Sequence, residues 1–78
     1  MVKKLLKEKG FQTAKWVVRK LIERRLIENE GDANAKLSDV RWIASHGFGH
    51  VADLLMSETG RQAISEVFRD RERQSTET

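Results

Sequence analysis

The sequence predicts an all-α protein, an irregular bundle of three to four short helices with no sheet. Three observations carry that expectation. Proline is absent from all 78 residues, so nothing in the chain forbids a helix interior. β-Branched residues do not gather into the runs that strands favour. Apolar residues recur at three- and four-residue spacing, the period of a helix with one buried face.

The first helix is expected from about Phe11 to Asn29, with a short turn over Val2–Lys9 before it. Gly10 either separates the two or sits inside one longer helix, where it costs about 1 kcal/mol against Ala. Turning 100° per residue places Phe11, Ala14, Val18, Leu21 and Ile22 on one stripe. Trp16 and Ile27 then fall on the opposite side, with Lys20 between them. Gly31 reads as the stop signal, and "GDANAK" reads as a connector in which Asp32 is available to cap a helix.

A second helix is expected over about Leu37–Ser45, with Ser38 as an alternative cap and Asp39 in its first turn. Leu37, Val40, Ile43 and Ala44 form its stripe, and Trp42 points away beside His46. "HGFG" breaks it, because two glycines around Phe48 favour a bend. A third helix covers about His50–Ser57. Thr59 with Gln62 three residues later has the pattern of a capping box and starts a fourth, ending near Arg69–Arg73. The expected core is Phe11, Val18, Leu21, Ile22, Val40, Ile43, Leu54, Leu55, Ile64, Val67 and Phe68. Residues 1–73 are expected to make one helical domain and 74–78 a frayed tail.

Length limits the stability of such a domain. A chain of this size buries only roughly 60–65% of the surface its unfolded form exposes. It contains no cysteine, so neither disulfides nor a thiolate metal site can staple it. Efficient helix packing or a homodimer is left to supply the difference. No segment approaches the roughly 20 apolar residues of a membrane span. The basic N-terminus carries only Leu5 and Leu6 as an apolar pair, too short for a signal-peptide core. The expected location is the cytoplasm.

Charge is segregated along the chain. Residues 1–27 carry nine basic side chains and two acidic ones; residues 28–66 carry three basic and seven acidic; residues 67–78 carry three of each. A net charge of +3 therefore hides a basic front and an acidic middle. The basic front points to nucleic acid, because lysine and arginine neutralise phosphates and release counterions. Lys15, Trp16, Arg19, Lys20, Arg24 and Arg25 are the candidate contacts, with the indole available to stack on an unpaired base. The plainer alternatives are a solvated helix face, or ion pairs with the acidic middle of the same chain or of a dimer mate.

"LSDVRWIASHGFGHVADLLM" has the helix–turn–helix order of a DNA reader. Its second helix, however, offers His50, Ala52, Asp53 and Met56, and Asp53 would repel phosphate, so the expected contact stays with the first helix. His46 and His50 are four apart, but Gly47 and Gly49 interrupt them and no Cys or HExxH glutamate accompanies them, so no metal site is expected. No triad, phosphate loop or paired carboxylates appear, so neither an enzyme nor a cofactor is expected. The second class of partner is a protein. Trp16, Ile27, Trp42, His46 and Met56 are the candidate interface, since Trp and Met are enriched where proteins meet. The expected function is thus a small non-enzymatic regulatory protein that contacts nucleic acid, or else an inhibitor or adaptor gripping a protein target.

Overall fold

A computed structural model describes the backbone of residues 2–77 and the side chains of residues 9–74. It is all-α. The helices are α1 (Val2–Glu23), α2 (Glu30–Lys36), α3 (Val40–Ser45), α4 (Ala52–Met56) and α5 (Glu58–Glu77), with a 3₁₀ turn at Gly49–Val51 leading into α4. No strand occurs among the described residues. Among the described residues no helix is long and apolar enough to cross a membrane.

The two long helices, α1 and α5, form the main pair, and the short helices close over them. Ala14, Val17, Val18 and Leu21 from α1 meet Ala63, Ile64 and Val67 from α5, with Ile43, Phe48, Ala52 and Leu55 supplied by the middle of the chain. Gly10 lies inside α1, and a Cβ there would sit 3.3 Å from Leu54 Cδ1. Gly60 is the tighter approach. A Cβ on it would fall 2.2 Å from the Leu55 carbonyl oxygen, so only glycine lets α5 start this close to α4.

α1 ends six residues earlier than the apolar periodicity implies. The Leu26 N–H donates to the Leu21 carbonyl and the Arg25 N–H to the Ile22 carbonyl, both at 2.9 Å. Arg25 takes a left-handed backbone, φ 60°. This is a Schellman stop, a motif that usually places glycine at the left-handed position. The chain then turns back on itself, and Ile27 enters the core at 2% exposure. The expectation of Ile27 as an exposed contact is corrected by this turn: its outward angle belonged to helical residues that do not exist.

The expected connector "GDANAK" is helix α2, and Gly31 sits in its first turn rather than stopping α1. Asn29 is the N-cap, its side-chain oxygen accepting from the Asp32 N–H at 2.8 Å. Asp32 in turn accepts from the Glu28 N–H at 3.1 Å, so one asparagine and one aspartate satisfy two backbone donors reciprocally. The helix expected over Leu37–Ser45 is divided, because Leu37 is the C-cap of α2 and Asp39, not Ser38, caps α3. That shift of frame turns Val40 outward, to 50% exposure, against its expected place in the core.

α5 begins at Glu58, and Ser57 rather than Thr59 receives its first donors, with the Arg61 N–H on its carbonyl and the Gly60 N–H on its hydroxyl. The helix continues beyond Arg73 to Glu77. The side chains of the expected frayed tail, apart from Gln74, and all of Thr78 lie outside the described residues.

Candidate functional site

Trp16 leaves α1 on the side opposite Ala14, Val18 and Leu21 and is 52% exposed. Its ring does not stand alone. Phe48 meets it nearly perpendicular, with centroids 6.3 Å apart and planes at 77°. Offset and edge-to-face contacts of this kind are the favoured arrangement of two aromatic quadrupoles. The Lys20 ammonium lies 5.9 Å from the indole centroid, and the Arg24 guanidinium 5.9 Å from the Phe48 centroid. Trp16, Lys20 and Arg24 are four residues apart in turn, so they climb one side of α1 by about 6 Å per step.

Phe48 reaches this place because α3 ends in the same motif as α1. The Phe48 N–H donates to the Ile43 carbonyl at 3.0 Å and the Gly47 N–H to the Ala44 carbonyl at 3.2 Å. Gly47 holds φ 90°, a conformation that glycine adopts without a steric penalty. The turn folds Phe48 back over the core while leaving its ring against Trp16. The sequence "HGFG" predicts only a bend; the signal for the ring's place is a lone aromatic between two glycines, directly after an amphipathic helix.

The remaining basic candidates divide. Arg24 and Arg25 are exposed, and neither has a carboxylate within ion-pair reach among the described residues. They also sit where the carbonyl end of α1 favours positive charge. Lys20 shares its ammonium with Glu23 at 3.5 Å. Arg19 is exposed but lines an open groove of about 400 Å³ together with Glu23, Asp70 and Arg71, a surface of mixed sign. Lys15 is corrected. It is 7% exposed, pairs with Glu66 of α5 at 3.1 Å and lies 5.3 Å from the Phe11 ring centroid. Its ammonium joins two helices and faces no external phosphate.

The residues expected to meet a protein partner do not gather as one exposed patch of rings. Trp42 is half-buried against the core. His46 stacks on it with centroids 3.9 Å apart, and Lys36 lies 5.7 Å from its centroid. His46 Nδ1 is 2.7 Å from the Trp42 carbonyl oxygen; a carbonyl only accepts, so this nitrogen carries the proton. Lys36 also donates to the Leu26 carbonyl at 2.7 Å and to Asp32 at 3.2 Å, tying the end of α1 to α2. Met56, at the end of α4, is 38% exposed, and Ile27 is in the core.

His46 and His50 belong to different elements, the C-cap of α3 and the 3₁₀ turn. Among the described residues no three side chains of metal-ligating type come together. No buried side-chain nitrogen or oxygen among them lacks a partner. A second open groove, about 610 Å³, runs between α1 and α5, with Phe11, Arg61, Glu66 and Arg69 in its walls. The Asp32 carboxyl is held below the usual aspartate value mainly by the Glu28 N–H and further by Lys36. Compared with known proteins, the chain matches no family model, no curated protein and no solved structure.

Proposed function

We propose that the protein is a small non-enzymatic regulatory protein that contacts nucleic acid through Trp16 and the cations that follow it, Lys20 on α1 and Arg24 and Arg25 in the turn that ends it. The observation that carries this is the exposed indole, 52% open to solvent and within 5.9 Å of the Lys20 ammonium. A large ring in water is unfavourable in a chain with so little core, and positive charges beside it supply what phosphates need. Two carboxylates of the acidic middle, Glu66 and Asp32, pair with Lys15 and Lys36 and not with Lys20, Arg24 or Arg25.

The test is fluorescence anisotropy with labelled 12-mer DNA and RNA at low salt. Binding is expected to weaken steeply with added salt, and Lys20→Glu with Arg24→Glu is expected to abolish it. Three neutralised phosphates give a slope of log affinity against log salt of about −2 on a single strand. Absence of any binding at low salt would remove the proposal and leave the protein-partner reading, which rests on Met56, Val40 and the exposed rim of Trp42.

A further inference from the structure

We infer that the ligand of this face is a single strand, with one unpaired base stacked on Trp16 and the neighbouring phosphates taken by Lys20 and Arg24. The inference rests on the proposed nucleic-acid contact and names the form of nucleic acid it takes. Four features of the face argue for it.

The order along the helix is the first. Trp16 is followed by Lys20 and Arg24 in one row at about 6 Å per step, so a ring for a base and cations for the backbone stand in line, the combination that single-strand binders use. The indole itself is the second. Its only polar atom is a single donor N–H, so it cannot make the bidentate contacts that read base edges in a groove. Its face suits any unpaired base.

The third feature is how the ring is held. Phe48 is buried to 7% exposure and fixes the angle of Trp16 through a contact at 77°. A platform already held in place loses little freedom when a base settles on it. Lys20, by contrast, is loosely committed. It stands 5.9 Å from the ring centroid, at the outer limit of cation–π reach, and 3.5 Å from Glu23. Exposed pairs of that kind contribute little, so the ammonium is free to swing from ring to phosphate as a base takes its place.

The fourth feature is the small number of cations. Lys15 is spent on Glu66, and Arg19 stands among Glu23 and Asp70. Duplex binding without base contacts depends on many neutralised phosphates. Among the described residues, Lys20, Arg24 and Arg25, with Lys9 about two turns before Trp16, are few for a duplex held without base contacts, and stacking supplies what they lack.

The experiment uses the full chain with Trp42→Phe, which leaves Trp16 as its tryptophan. A mixed-sequence single-stranded DNA 12-mer is expected to quench Trp16 emission and to bind at least about tenfold tighter than the corresponding 12-base-pair duplex at the same salt. Trp16→Ala, judged folded by its circular dichroism, is expected to lose about tenfold in single-strand affinity and less in duplex affinity, whereas Trp16→Phe keeps most of the single-strand affinity. Duplex affinity equal to or above that of the single strand would overturn the inference while leaving the nucleic-acid contact standing. So would a Trp16→Ala chain that binds the single strand as tightly as the parent. If neither the single strand nor the duplex binds, whether made of DNA or of RNA, the inference falls together with the proposed function.

Discussion

Arg25 holds a left-handed backbone in a motif where glycine is at ease. The comparison is internal to the molecule: α3 ends in the same hydrogen-bond pattern with Gly47 at that position, at φ 90°. A side chain in the left-handed region costs roughly 1 kcal/mol relative to glycine. Arg25→Gly is therefore expected to raise the unfolding free energy by about 0.5–1 kcal/mol in a urea titration. The same change removes a cation from the proposed contact and is expected to weaken nucleic-acid binding. Gain in stability with loss of binding would separate what this residue does for the fold from what it does for a ligand. Lys15 makes the opposite case. Lys15→Glu sets two carboxylates against each other beside Phe11, and the expected loss is about 2 kcal/mol of stability, discounted because Glu66 is half-exposed. Affinity of the folded fraction for DNA is expected to stay unchanged.

At the scale of elements, the legible and illegible parts of the sequence differ for a definable reason. The stripe of α1 was readable because Ala14, Val18, Leu21 and Ile22 repeat over whole turns. The end of α1 was not, because an arginine occupies the position where a glycine would have announced it. Gly31, the visible glycine, belongs to the next helix. One misplaced boundary then misplaced Ile27, and the merged second helix misplaced Val40 in the same way. The outward position of Trp16 was recoverable from periodicity alone, because it lies in the middle of a helix whose interior was correctly placed. Its partner Phe48 was not, since a tertiary turn brings it there. Two predictions belong to this scale. Glu23 lies one turn beyond Lys20 and competes with any phosphate for its ammonium; Glu23→Gln is expected to tighten single-strand binding by about two- to fivefold at low salt. The start of α2 depends on the carboxylate of Asp32, whose folded pKa is depressed by the Glu28 N–H and then by Lys36. A depressed pKa contributes stability above the ordinary aspartate value, and that contribution is lost as pH falls through the folded value. The urea midpoint is expected to drop on acidification from about pH 5 to below about pH 4, and Asp32→Asn to lower stability at neutral pH and flatten that part of the profile.

At the scale of the whole molecule, the folded chain measures 38 × 33 × 17 Å. Its least dimension is less than two helix diameters of about 10–12 Å, and the side of α1 that carries Trp16 is open to solvent around that ring. That side carries Lys20 and Arg24 of the basic front, while Glu66 and Asp32 of the acidic middle pair with Lys15 and Lys36. The two tryptophans end with different surroundings. Trp42 is stacked under His46 and packed on the core, while Trp16 stands in water beside cations. That difference is the most direct handle on the account. In a ¹H–¹⁵N NMR titration of the full chain with the single-stranded 12-mer, the two indole N–H signals report on the two rings separately. The signal of Trp16 is expected to shift and broaden, together with the backbone amides around Lys20 and Arg24, while that of Trp42 stays in place. A titration in which Trp42 alone moves, or in which neither indole responds at saturating DNA, would contradict it.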